Sequence, residues 1–267
     1  MTYLERSTGH LKRINLKPTG WLLVLVMVLA IGFRLWRLNA DLPYIYQSDE
    51  DLNLVLTQNM LRNGDPNPHF FRYPSLLFYL NGVVYFLYFL VSKLAGQLNS
   101  LTDIPSPIMA AMGNGKIALP NIMLASRMLS AIFGIGSVLL LYISGRKLTG
   151  NIVVGIVAGV ILAVSPTHIT SSQKIAPDAL VVFFVLLAFY GAVGIFAEGK
   201  LGYYVISGMG VGLAASSKYN GALVMAAPLV AHFFQYGRES FKRRELYICL
   251  GISVLTFFAT TPFSIMD

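Results

Sequence analysis

Charge is what this 267-residue chain has least of: Asp, Glu, Lys and Arg make up 12% of it, against 55% hydrophobic residues. Its mean hydropathy is +0.65. So few charges cannot cover a water-facing surface of ordinary size, which excludes a soluble globular enzyme and leaves lipid as the solvent for most of the chain. Cysteine is nearly absent as well. The single Cys249 lies inside an apolar run, so an intramolecular disulfide and a cysteine zinc cluster are excluded and thiol chemistry is not expected. Acids are outnumbered by bases, 12 to 20, for a net charge of +8. The basic residues sit at the ends of apolar runs and form no stripe interleaved with aromatics, so nucleic acid is not the expected partner; topology signals and lipid headgroups are. No internal repeat is evident.

Long apolar runs with short polar punctuation predict an all-α polytopic membrane protein. Candidate spans are Gly20–Leu38, Ser126–Leu148, Ile152–Pro166, Asp178–Ala197, Gly202–Ser216, Gly221–Tyr236 and Leu246–Pro262. The first is expected to be retained, because no small-residue cleavage site follows it and Arg34-Leu-Trp-Arg37 has the character of an interfacial anchor. A further apolar helix, Ser75–Leu98, decides the topology. If it does not cross, Arg6, Lys12, Arg13, Lys17, Arg146, Lys147, Lys200, Arg238, Lys242, Arg243 and Arg244 all fall on the cytoplasmic side, which is the bias that insertion favours. This predicts about seven spans, a cytoplasmic N-terminus and one large outer segment, residues 39–125. Residues 1–267 then form one module.

The outer segment holds six of the 12 acids, three of them consecutive in Ser48-Asp49-Glu50-Asp51. These open an amphipathic helical pattern with Leu52, Val55, Leu56, Met60 and Leu61 at three- and four-residue spacing. One reading is a capped helix start, with Ser48 as N-cap and acids favoured by the helix dipole. The sharper reading is a carboxylate that takes a proton from an attacking group or binds a metal. Adjacent helical residues do not converge on one ion, so at most one or two of the three acids would ligate it. The helix closes at Arg62-Asn-Gly-Asp-Pro, and His69-Phe-Phe-Arg72-Tyr73-Pro74 leads into the interfacial helix. Gly113-Asn114-Gly115 is expected to be a turn.

The order of basic N-terminus, one span, Asp-Glu, amphipathic helix, Arg-Asn-Gly-Asp turn, His-x-x-x-Tyr-Pro-Ser-Leu and Ser126-Arg127-Met-Leu-Ser-Ala-Ile-Phe-Gly resembles the membrane glycosyltransferases of the C superfamily. It is most similar to their protein O-mannosyltransferase and aminoarabinose transferase branch. Gly145-Arg146-Lys147-Leu148, Ser165-Pro166-Thr-His168, Ala176-Pro177-Asp178-Ala179-Leu180, Gly212-Leu213, Ser217-Lys218-Tyr219 and Thr261-Pro262-Phe263 continue the likeness over nearly the whole chain. The resemblance implies an inverting transferase that moves a sugar from a polyprenyl-phosphate carrier to a protein, lipid or glycan acceptor at the outer or luminal face. It maps the catalytic carboxylate onto Asp49 or Glu50 and implies outer-loop helices that do not cross, in agreement with the charge bias. The mannosyl and aminoarabinosyl branch implies no cofactor and no essential metal, although oligosaccharyl transferases of the superfamily use one. The family's variable C-terminal part is expected to begin near Asp267, where this sequence stops.

Cations near the leaving phosphate would stabilise its developing charge, and Arg72, Arg127, Lys174 and Lys218 are the candidates. For Lys174 and Lys218 headgroup snorkelling is the competing reading. Asp178 either starts a helix beside Pro177 or orients Lys174 or the acceptor, and Tyr219 belongs to the same substrate-binding set. His69 could bond phosphate or sugar, or serve as a structural group in a Pro-rich turn; His168 carries a weaker form of the same case. The prenyl chain is expected beside the helix containing Phe78, Tyr79, Tyr85, Phe86, Tyr88 and Phe89. Two other classes stay open: a non-catalytic membrane subunit derived from a truncated transferase and packed against a partner, and a transporter. Against the transporter, no charge recurs at mid-span and no half repeats the other. The absence of a eukaryotic-looking luminal domain favours a bacterial inner membrane.

Overall fold

The structure, a computed structural model, describes residues 20–44, 48–104 and 120–265. The expected basic N-terminus, the turn at Gly113-Asn114-Gly115, and the Ser48 side chain lie outside the described residues. Among those described there are helices and no strands.

Among the described residues ten α-helices follow one another: α1 (Gly20–Leu35), α2 (Ser48–Asn63), α3 (Leu76–Leu94), α4 (Pro120–Thr149), α5 (Ile152–Ala163), α6 (Pro166–Ser172), α7 (Pro177–Glu198), α8 (Leu201–Ser217), α9 (Ala226–Tyr236) and α10 (Arg244–Thr260). Short 3-10 turns occupy Leu101–Asp103, Tyr219–Met225, Gly237–Lys242 and Pro262–Ile265. Proline opens α4, α6 and α7 at the position where its missing N–H costs nothing. Gly199 ends α7 in the left-handed conformation, φ 65°, which a residue without Cβ adopts freely.

By length and composition α3, α4 and α7 can each cross a bilayer, and α5 with α6 makes a fourth candidate, bent by 64°. α1 is apolar but has 16 residues. Among the described residues there are four candidates, against the seven expected crossings. Ser126–Leu148 extends back to Pro120, the expected span Ile152–Pro166 breaks before Pro166, and Gly221–Tyr236 starts as a 3-10 turn. α3, expected to lie along the interface, is a continuous helix of 19 residues, long enough to cross.

The bundle centres on α7, which packs against α4, α8 and α9, while α10 packs on α8 and α5 and α1 on α4. Small residues let these helices approach: a Cβ on Gly191 would lie 2.6 Å from the Ser207 nitrogen, and one on Gly212 2.6 Å from the Ser253 carbonyl oxygen. Close backbone approach is the usual substitute for a hydrophobic drive between helices in lipid. One core cluster joins α3, α7 and α8 through Leu77, Leu180, Phe184 and Ala214. Another joins Leu54, Tyr85, Phe89, Met123 and Ile175 beneath the loops at one end. The periphery stays apolar, with Trp36, Leu94, Leu223 and Phe234 all more than 70% exposed. That is a lipid-facing surface, and the chain is an integral membrane protein.

Candidate functional site

α2 buries a polar face. The expected apolar stripe of Leu52, Val55, Leu56 and Met60 is only half-buried, whereas Glu50, Asn53, Thr57 and Gln58 are at most 2% exposed. Main-chain groups of neighbouring segments supply the reason. Asn53 Nδ2 donates to the Ile175 carbonyl (2.8 Å) and Gln58 Nε2 to the Ile104 carbonyl (2.8 Å). Such groups would otherwise be buried without partners, so polar side chains dock this helix better than leucines would.

Glu50 and Arg127 form the centre of this docking. Arg127 Nε and Nη2 donate to the two carboxylate oxygens at 2.9 and 2.7 Å, a bidentate pair that is 1% exposed on the acid and 7% on the base. Arg127 Nη1 donates to the Leu38 and Ala40 carbonyls at 3.1 and 2.9 Å, and the Ile175 N–H donates to Glu50 Oε1 at 3.0 Å. The pair therefore ties the segment after α1, the first turn of α2, α4 and the α6–α7 loop to one point. Every nitrogen of Arg127 is engaged, and Glu50 faces inward. Ile175 is held on both sides, its N–H by Glu50 and its C=O by Asn53.

Asp49, one residue earlier, is exposed, and among the described residues no hydrogen-bond donor engages it. Asp51 Oδ1 accepts the Leu52 N–H at 2.6 Å. The three consecutive acids thus separate into one spent on the buried pair, one bonded to its own helix and one open carboxylate. They do not converge on a common point, and among the described residues no three His, Cys, Asp or Glu side chains do.

The remaining candidates lie at the same end. Lys218 Nζ donates to Asp178 Oδ1 at 3.1 Å, with side chains 37% and 48% exposed, and the neighbouring Tyr219 hydroxyl donates to the Phe71 carbonyl at 3.2 Å. This joins the start of α7 and the end of α8 to the loop carrying His69 and Arg72. Arg72 is exposed and Lys174 half-buried. His69 sits in left-handed backbone (φ 47°), with Nε2 2.9 Å from Asp65 Oδ2 and its N–H on Asn67 Oδ1. Asp65 accepts from the Asn67 N–H and from His69, and these bonds hold its carboxyl below the usual carboxylate range. Between α2 and α3, beside Asp65, runs a groove of ≈ 570 Å³ lined by Met60, Leu61, Phe78, Tyr79, Val83 and Phe86. Tyr85 and Phe89, expected in this groove, are buried in the core on the opposite face of α3.

The sequence profile of the family described as dolichyl-phosphate-mannose-protein mannosyltransferase matches residues 107–263. The chain belongs to this mannosyltransferase family. A search of curated protein sequences finds no match. Among solved structures it is similar to the Saccharomyces cerevisiae protein O-mannosyltransferase complex bound to its sugar donor, with 18% identity, a TM-score of 0.67, and 96% of this chain and 34% of that one covered. It is also similar to an oligosaccharyltransferase from Archaeoglobus fulgidus, solved with zinc and sulfate, at 15% identity and a TM-score of 0.65 over 91% of this chain and 31% of that one. The mannosyltransferase-family chain spans about a third of the length of both structures, and at these identities the likeness is one of fold. The C-superfamily membrane glycosyltransferase resemblance in its sequence is borne out.

Asn53 was absent from the expected site. Its signal was available, since it follows Glu50 by three residues and so shares its helix face. Arg34 differs from expectation in the opposite sense. It is no interfacial anchor but a fully buried side chain, because the last carbonyls of the broken helix α5 need donors. His232, outside the site, is buried between the Tyr204 hydroxyl (2.6 Å) and the Ser240 carbonyl (3.0 Å).

Proposed function

We propose that this chain transfers a sugar from a polyprenyl-phosphate donor to an acceptor hydroxyl or amide, with Asp49 as the catalytic base. The observation that carries this reading is the division of labour between neighbours: Glu50 is locked into Arg127, and Asp49 stands open at the same end as Lys218, Lys174 and Arg72. In the proposed step Asp49 takes the acceptor proton as the acceptor atom bonds to the anomeric carbon. The bond from that carbon to the phosphate oxygen breaks, and its electron pair leaves on the polyprenyl phosphate. One displacement inverts the anomeric centre.

Charge builds on the leaving phosphate, so preplaced cations lower the barrier. Lys218 suits this role: its partly exposed bond to Asp178 can be exchanged for a phosphate oxygen, and Arg72 is unburied nearby. Arg127 does not, since it is buried and four of its five N–H donors are committed to Glu50, Leu38 and Ala40; it acts by fixing α2. The groove between α2 and α3 suits a prenyl chain because it is apolar and opens beside the polar loop at residues 64–75. The orientation that goes with this reading puts the site end at the periplasmic or luminal face and the cation-rich end, with Arg146, Lys147 and Arg243, at the cytoplasm, in a bacterial inner membrane. A chain of residues 1–267 would act as one module.

The test is release of free polyprenyl phosphate from a panel of polyprenyl-phosphate sugars by the purified chain and its Asp49→Asn variant. Release that depends on Asp49 supports the assignment and names the donor. Release unchanged in Asp49→Asn would move the base elsewhere, and no release by the wild-type chain would favour a non-catalytic subunit.

A further inference from the structure

Outside the site, the largest fully buried side chain carries a charge. Arg34, near the end of α1, is 0% exposed. Its guanidinium donates to the carbonyls of Ala30 (3.1 Å), Leu162 (3.1 Å) and Ala163 (3.3 Å), and Nη2 lies 2.7 Å from His168 Nδ1. The Leu162 and Ala163 carbonyls belong to the last turn of α5, where the chain breaks ahead of Pro166 and the Ser165 N–H reaches the Leu162 oxygen only at a long 3.4 Å. A guanidinium can only donate, so Nδ1 must accept, and the His168 ring is neutral with its proton on Nε2. Space for this arrangement depends on Gly134 of α4, where a Cβ would lie 3.0 Å from Arg34 Nε and 2.2 Å from Ser172 Oγ.

The connection continues toward the site. Gln173, just past α6, donates from Nε2 to the Phe33 and Trp36 carbonyls, both at 2.9 Å. Two residues later comes Ile175, whose N–H and C=O are held by Glu50 and Asn53 of α2. The α6–α7 loop is therefore fastened to α1 on one side and carries the Asp49 turn on the other. Of the elements packed against α6, α1 presents Arg34 and α5 has no titratable residue. α7 contributes Asp178, held by Lys218, and the cation of α4 at this end, Arg127, is held by Glu50.

We infer that Arg34 and His168 are positioning residues for the transfer: a neutral His168 accepts from Arg34, locks the broken α5–α6 hairpin onto α1, and through Ile175 fixes the α2 turn bearing Asp49. This rests on the transferase reading above. It assigns His168 a role that needs no contact with the donor.

Hydrogen exchange followed by mass spectrometry on the full chain in detergent tests the inference without relying on turnover. His168→Asn places an acceptor oxygen near the position of Nδ1, while His168→Leu removes the acceptor at similar volume. In His168→Leu the Ile175 amide and the first turn of α2 should exchange about tenfold faster, while His168→Asn stays within about twofold and α9 is unaffected in both. On a polyprenyl-phosphate sugar that the wild type uses, His168→Leu should lower kcat about tenfold at unchanged KM, and His168→Asn should restore it. Unchanged exchange in His168→Leu, or equal acceleration in His168→Asn, overturns the inference. A wild-type chain that turns over no donor, with exchange following the expected pattern, upholds the positioning and sinks the transferase reading. Should His168→Leu fail to accumulate, Gln173→Leu interrupts the same connection: about threefold faster exchange at Ile175 is expected, and no change overturns the inference.

Discussion

Removing the Glu50 carboxylate should hurt folding before it hurts chemistry. In Glu50→Ala the Arg127 guanidinium keeps its bonds to Leu38 and Ala40 but loses both carboxylate oxygens in a site that is 6% exposed. Stripping one partner from a buried ion pair costs about 3–5 kcal/mol. The Ile175 N–H also loses its acceptor, and an unsatisfied buried donor costs about 1–3 kcal/mol. The two losses share a site and do not simply add, so a net loss of about 4 kcal/mol or more is expected, close to a thousandfold in the folding equilibrium. Glu50→Leu combined with Arg127→Met removes both charges and should be markedly more stable than Glu50→Ala, because no bare charge remains. Unfolding in detergent, titrated with a denaturing surfactant and followed by tryptophan fluorescence, measures both. A loss below about 1 kcal/mol in Glu50→Ala would refute the reasoning, since it would mean that water replaces the carboxylate at no cost.

Asp49→Asn, by contrast, should unfold within about 0.5 kcal/mol of wild type, as exposed substitutions do, while turnover falls at least about a hundredfold. Lys218→Ala should change stability by under about 1 kcal/mol, its pair with Asp178 being partly exposed, yet weaken donor binding measured by isotope-labelled donor retention. Gly134→Ala should lose about 1–3 kcal/mol in the same surfactant titration, because the added methyl lands on Ser172 and Arg34. For Asp65 the folded carboxyl titrates below its ordinary 3.8, so its contribution is present above that pH and is lost as pH falls through the lowered value. Limited proteolysis of the loop at residues 64–75 should accordingly accelerate only below pH ~3.8, and acceleration between pH 7 and 5 would contradict the assignment.

Much of the architecture was legible in sequence because lipid imposes it: the hydrocarbon core demands long apolar helices with internally satisfied backbones, and composition reports that directly. The helix at Ser48, its end at the Arg62-Asn-Gly-Asp turn and the helix start beside Pro177 follow from local rules about acids, proline and glycine, whereas the start at Pro120, ahead of the expected Ser126, does not. The family likeness is local in the same sense, being carried by residues in order along the chain.

What the tertiary structure alone decided is which of those residues are spent on holding the fold. Asp49 and Glu50 are neighbours of the same chemistry, and nothing local separates them. A helix turn of about 100° per residue sends one outward and the other inward to a guanidinium 77 positions away. Arg34 reads in sequence as an interfacial anchor and Arg127 as a cation for the leaving phosphate, yet each ends among main-chain carbonyls where a helix breaks or a loop turns. Such partners are distant in sequence, and the desolvation that makes the contacts strong exists only once several helices have closed around them.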